Sequence, residues 1–296
     1  MKIKEVKDEI IEMYKTSLSF KSSNIKHHPI RLLDSIKSII GISPDEPVVK
    51  ILNNYKKCFI QIEKEEELFN SENIKPLEVV TYLDLELSLL DLNKDKSYEN
   101  IFHLSRVSDG KQIFEFLIEF SLRYCNYSYL IIWSIYRMQL FTDFDNPLSG
   151  LLKCVECIIE DVKTDRRKTN ESIDKYFQLS NCKHDTFDVF YSLYRIYNEK
   201  FTRSDSIRAY AITVIKEKCK FDNDMDEKNT CFEEQEKMGR QWILNYLKNI
   251  DIKNVDIEKI LNLDAARGAL MITKDSSKIK KIWSDLNNIY EFKENR

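Results

Sequence analysis

The run from Gln112 to Leu140, QIFEFLIEFSLRYCNYSYLIIWSIYRMQL, is the most apolar part of the chain and limits what the remainder can do. Ile113, Leu117, Phe120 and Tyr124 recur at the spacing of one helix face, and Phe114, Ile118, Leu122 and Cys125 make a second row beside them. Glu115, Glu119 and Asn126 mark a narrow wet side. Asp109 is placed to cap this helix, because its carboxylate can accept from free first-turn amides, and Gln112 holds the capping-box position. Ser128 is placed to cap a second helix carrying Leu130, Ile131, Trp133, Ile135 and Met138. Together they predict an αα-hairpin that turns near Asn126 and is buried on most sides. A membrane span would need about 20 mostly apolar residues. Here Glu115, Glu119, Arg123 and Arg137 interrupt the run, so the expectation is a protein core and no membrane partner.

Glycine and proline number five each in 296 residues. Glycine-rich phosphate loops and multi-turn β architectures depend on positive φ, so this scarcity favours long helices. An apolar share of 43% supplies a core, and 32% charged residues keep its surface wet. The formal charge of −3, with both signs interspersed, gives no general drive towards nucleic acid or anionic membrane. The first residues lack the apolar run of a secretory signal, and seven cysteines is an odd count. Reduced thiols and a cytoplasmic or nuclear location are therefore expected.

Helical stripes recur along the chain. Ile3, Val6, Ile10, Met13, Tyr14 and Leu18 form the first. Pro29 suits a first helical position, with Gly41 as the stop. Ser43-Pro44-Asp45-Glu46 reads as a new start, leading to Val48, Ile51, Leu52, Tyr55, Phe59 and Ile62. Residues 76–92 alternate like a strand at Leu83, Leu85, Leu87 and Leu89. Yet Leu77, Val80, Leu83, Leu87 and Leu90 also fit a helix, and leucine is a helix former. Helix is the reading taken. Asn146-Pro147 opens a helix through Val162, and others are expected near 171–180, 186–200, 205–220, 231–249, 255–272 and 277–290. Thr230 and Glu233 form a capping box at the start of one of them. With no linker rich in Gly, Ser or Pro, one continuous all-α domain over 1–296 is expected.

Asp205-Ser206-Ile207-Arg208-Ala209-Tyr210-Ala211 resembles the HEAT-repeat pattern, and Asp264-Ala265-Ala266-Arg267-Gly268-Ala269-Leu270 is a second, poorer match. In that pattern the acid can cap a helix, the arginine bonds the neighbouring unit and the alanine lets helices approach. The resemblance implies antiparallel hairpins stacked as a HEAT- or armadillo-like superhelix, or an irregular helical array. It covers only these two short stretches.

Several groupings invite chemistry. Cys154 and Cys157, followed by Cys182 and His184, offer soft ligands of the kind zinc takes. Cys154 and Cys157 nevertheless fall inside an apolar helix, where cysteine serves as a small hydrophobe, and no resident metal or cofactor is expected. Asp222-Asn223-Asp224-Met225-Asp226 with Glu233 begins like a calcium loop, but Glu227 stands where the turn needs glycine. Lys163, Arg166, Arg167 and Lys168 form one basic knot; Lys274, Lys278, Lys280 and Lys281 form another. Both are candidate phosphate contacts flanked by acids. Tyr191, Tyr194 and Tyr197 fit packing faces; exposed, they would offer a docking groove with Arg208. No nucleophile motif or phosphate-loop motif occurs. The leading expectation is a non-enzymatic scaffold that binds another protein in a helical groove. A nucleic-acid-associated scaffold and an enzyme with a dispersed helical site are the alternatives.

Overall fold

The computed structural model describes residues 3–21, 24–45, 49–58, 79–163, 165–178, 182–221, 233–250 and 256–290. Its first eight helices are α1 (Ile3–Leu18), α2 (Pro29–Ile40), α3 (Lys50–Cys58), α4 (Tyr82–Leu90), α5 (Lys94–Val107), α6 (Gly110–Tyr124), α7 (Ser128–Phe141) and α8 (Leu148–Ile159). The rest are α9 (Asp174–Phe177), α10 (Phe187–Asn198), α11 (Ser204–Lys218), α12 (Glu233–Met238), α13 (Arg240–Asn249), α14 (Ile257–Ile272) and α15 (Ser276–Tyr290). Among the described residues the only β pairing is two isolated bridges, Cys125 with Val162 and Cys182 with Phe221. The all-α expectation holds.

Helices α6 and α7 form the hairpin expected of the apolar run, and most side chains in them are buried. Asp109 caps α6, accepting from the Lys111 amide at 3.0 Å. The cap of α7 comes from elsewhere. Asp161, just past α8, accepts from the amides of Tyr127 (2.6 Å) and Ser128 (2.8 Å), so free first-turn donors are met by a distant carboxylate. Arg166 serves the other side of the turn, donating to the carbonyls of Leu122 at 3.1 Å and Cys125 at 2.5 Å. The expected wet side of α6 is not wet at Glu115. Its carboxylate is buried and accepts from the Thr202 amide at 2.8 Å, while Glu119 holds Arg203 at 2.6 Å and also Ser206. Two acids of α6 thus anchor the start of α11.

Around this hairpin the helices close a circuit: α7 packs on α2, α2 on α14, α14 on α10, α10 on α11, α11 on α6, and α6 on α7. The contact of α2 with α14 joins distant parts of the chain, in addition to the neighbour-on-neighbour packing a solenoid rests on. Helix α8 covers α7 and α6 from outside, α5 packs on α8, and α4 sits at the rim against α5 and α8.

Local signals held with corrections. Pro29 opens α2, and His28 caps it, its Nδ1 accepting from the Ile30 amide at 3.2 Å. Gly41 ends α2 at φ −66°, so no left-handed glycine stop is used. Helix α3 begins at Lys50 rather than at Pro44, and Ile51, Leu52 and Tyr55 are buried as expected. Phe59, Ile62, the Thr230 cap and the calcium-loop residues 222–226 lie outside the described residues. The expected helix at 231–249 is two, α12 and α13, broken at Gly239 where φ reaches +52°.

Candidate functional site

Among the described residues, the rim at α4 and the junction of α2, α7, α10 and α14 depart from the ordinary sorting of apolar and charged groups. At the rim, α4 opens with a capping box: the Thr81 hydroxyl accepts from the Asp84 amide, and the Asp84 carboxylate accepts from the Thr81 amide at 2.8 Å. Sequence reading missed this box. The box fixes where the helix starts, and packing on α5 and α8 buries Leu85 and Leu89 fully. Leu83, Leu87 and Leu90 then face out, with 62%, 52% and 37% of their surfaces exposed. These three belong to the row that sequence analysis assigned to a helix stripe; the buried stripe is the other one. Val79 and Leu92 extend the exposed apolar surface at the two ends of α4. Val107, also exposed, closes α5 beside the start of α4, where Tyr82 and Ser108 share a 2.9 Å hydroxyl contact. Residues 79–92 contain three carboxylates (Asp84, Glu86, Asp91) and no Lys, Arg or His.

In the interior, where α2, α7, α10 and α14 meet, six charged side chains converge. Asp34 accepts from Lys37 at 2.7 Å and from Arg137 at 2.7 Å. Asp264 accepts from Arg267 at 2.7 Å, Arg195 at 2.9 Å and Arg137 at 3.2 Å. Arg137 also reaches the Ser38 hydroxyl. All six are at least mostly buried, the most exposed being Arg137 at 12% of its side chain. Burial pushes the Lys37 ammonium down to about 8, with Asp34 resisting and Arg137 adding to the fall. Burial likewise lowers Arg195 to about 10, and Arg137 and Arg267 add to that. Burial alone would raise the Asp264 carboxyl, but Arg267, Arg195 and Arg137 outweigh it and hold the acid ionised. Gly268 lets this happen: a Cβ there would collide with the Arg195 side chain, so only glycine allows the guanidinium to lie against the backbone of α14. Sequence reading found no such constellation, because its members come from four separate helices.

The residues singled out in the sequence sit as follows. Tyr191 and Tyr194 are core side chains; Tyr191 has no exposed surface and donates to Asp285 at 2.7 Å. They offer no groove. Tyr197 is half-buried, and its carbonyl accepts from Arg208 at 3.0 Å, tying α11 to α10. In the first knot Lys163, Arg167 and Lys168 are exposed, but Arg166 is buried and bound to Glu217 at 2.6 Å. In the second, Lys278 pairs with Asp174 at 2.5 Å and Lys281 with Asp285 at 2.6 Å. Both knots therefore spend part of their charge inside the fold. Cys154 and Cys157 are buried in α8, with burial pushing the Cys157 thiol up to about 12; Cys182 is buried as well, while His184 is exposed and faces Glu258 at 3.0 Å. Among the described residues no three His, Cys, Asp or Glu side chains are grouped to hold a metal ion. No described helix is long and apolar enough to cross a membrane. Set against known protein families, curated proteins and solved structures, the chain matches none.

Proposed function

We propose that this protein is a binding scaffold whose docking surface is the outer face of α4 and whose partner presents a basic amphipathic helix. The observation that carries this is the exposure of Leu83, Leu87 and Leu90 at i, i+4 and i+7 on a helix whose opposite side is already buried. Single exposed leucines are ordinary; a contiguous row flanked by Val79 and Leu92 is the kind of patch that marks a contact site. An apolar stripe of this spacing fits the ridge of a second helix. The charge pattern selects the occupant. Glu86 is held by Arg123 at 3.5 Å, which leaves Asp84 and Asp91 as the exposed acids of residues 79–92, and a partner with Lys or Arg beside its leucines would be steered in. The HEAT-like superhelix is the finer part of this reading, and it rests on Arg208 bonding α10 from α11 as the repeat pattern would have it. In α14 the corresponding arginine, Arg267, turns back onto Asp264, three residues earlier on the same helix.

The test is fluorescence anisotropy with a labelled synthetic helix of leucines in heptad spacing flanked by lysines, against the same peptide with serine for leucine. The leucine peptide should bind, and the double variant Leu83→Glu with Leu87→Glu should weaken it about tenfold or more while circular dichroism stays unchanged. Equal binding of the serine peptide would overturn the proposal. So would a dimer of the unmodified protein in sedimentation that the same two substitutions abolish.

A further inference from the structure

A small cavity lies between the turn before α2 and the outer helix α8. Its walls include His28, Ile131, Lys153, Glu156, Cys157 and Glu160, and its volume of about 10 Å³ admits a single water molecule. His28 is 2% exposed, and its Nδ1 accepts from the Ile30 amide at 3.2 Å. Burial, with Lys153 adding to it, keeps the ring neutral, so its one proton sits on Nε2. That Nε2 is itself buried, and among the described residues nothing accepts its hydrogen. The Phe20 carbonyl is near enough to favour a charged ring, yet it is not placed to take this hydrogen. A buried donor left unmet is costly, and folded proteins seldom keep one. The same walls carry an acceptor with capacity to spare. Glu156 pairs with Lys153 at 2.8 Å and Lys94 at 3.2 Å and accepts from the Tyr98 hydroxyl, while a carboxylate has roughly four acceptor positions. With Glu156 already paired to Lys153, the cavity asks for a neutral molecule that both accepts and donates.

We propose that this cavity is a binding site for one structural water, which accepts from His28 Nε2–H, donates to Glu156 and so joins the cap of α2 to α8. Water has the size of the cavity and supplies both halves of the hydrogen bonding. A metal ion does not suit the site, because a ring nitrogen that carries the proton has no lone pair to give. Burial pushes the Cys157 thiol up to about 12, so it stays protonated and serves as wall, not nucleophile.

Proton–nitrogen NMR of the full chain, labelled in its histidine rings, reads the site directly. His28, assigned by the loss of its signals in His28→Asn, should appear as the Nε2–H tautomer. Its Nε2 proton should give a cross-peak to the water line of the sign that immobilised water produces. In Cys157→Val the larger apolar side chain fills the cavity, and the cross-peak should vanish although Lys153 is still present. A cross-peak that survives this change comes by exchange through the Lys153 ammonium and overturns the proposal. So does the Nδ1–H tautomer, or an Nε2 proton with no cross-peak to water. If Cys157→Val does not fold, a crystal structure of the unmodified chain that orders its other buried waters decides. A water within hydrogen-bond distance of His28 Nε2 upholds the site, and none there overturns it.

Discussion

Helix α4 and the junction of α2, α7, α10 and α14 invert the usual arrangement of a folded chain. At α4, leucines stand in solvent on a helix of nine residues; at the junction, six charged groups are drawn into the interior. Each inversion has a local cause. The packing of α4 on α5 and α8 buries Leu85 and Leu89 and leaves Leu83, Leu87 and Leu90 on the outside. At the junction, Asp264 gathers three guanidiniums, so each charge is held by a partner and removing one strands the others. A protein keeps an exposed apolar row or a buried charge cluster at a cost in stability, and function is the common reason for both.

The contrast breaks most sharply at its charged end. Asp264→Ala should cost about 3–5 kcal/mol in denaturant unfolding, the penalty of leaving buried cations without their anion. A loss under 1 kcal/mol would mean that water already reaches the cluster. On the apolar side, Leu89→Ala should cost about 2–5 kcal/mol, because Leu89 is fully buried between α4 and its neighbours. A small loss there would show that α4 is loosely held and that its inner and outer rows are interchangeable.

Acid sharpens the comparison by way of a buried imidazole in the interior. Burial lowers His28 to about 3 from 6.5, helped by Lys153 and Arg31 and opposed by the Phe20 carbonyl and by Glu156, so the folded protein keeps it neutral. The unfolded chain gains a proton below pH 6.5 that the folded chain refuses, so stability falls as pH drops from 6.5 towards 3. The loss from this group between pH 7 and pH 5 is about 2 kcal/mol. His28→Asn keeps an acceptor for the Ile30 amide and should flatten that slope, measured as urea midpoints across the range. An unchanged slope would place the acid sensitivity elsewhere.

Helix positions were legible in the sequence because they depend on short-range spacing. The pattern around Ile113–Tyr124 located α6, and Pro29 located the start of α2. What spacing does not carry is which of two apolar rows turns inward. Leu83, Leu87 and Leu90 fit a stripe as well as Leu85 and Leu89 do, and the positions of α5 and α8 decide between them. Glu115 was misread for the same reason: an acid at a wet-looking position is buried when a distant amide, that of Thr202, comes to meet it. The charge cluster was invisible in principle, since Asp34, Arg137, Arg195 and Asp264 are brought together by the closing of the helix circuit. One trace of it stood in the sequence. The D-x-x-R-G run at 264–268 places an ion pair beside a glycine that a neighbouring side chain lies across.

The smallest expected effect is the one that isolates function from folding. Leu87→Ala removes an exposed leucine, so unfolding should change by no more than about 0.5 kcal/mol, against the several expected for Leu89 two positions along. If α4 serves only to cover α5 and α8, this variant should also bind the basic leucine peptide as the parent does. If the outer row is the docking face, affinity should fall several-fold while stability stays level. That separation of affinity from stability is what a structural helix does not produce, because its outward leucines have no partner to lose. A loss of several kcal/mol on replacing Leu87 would instead mean that the outer row is covered within the folded chain, and the inversion at α4 would no longer stand.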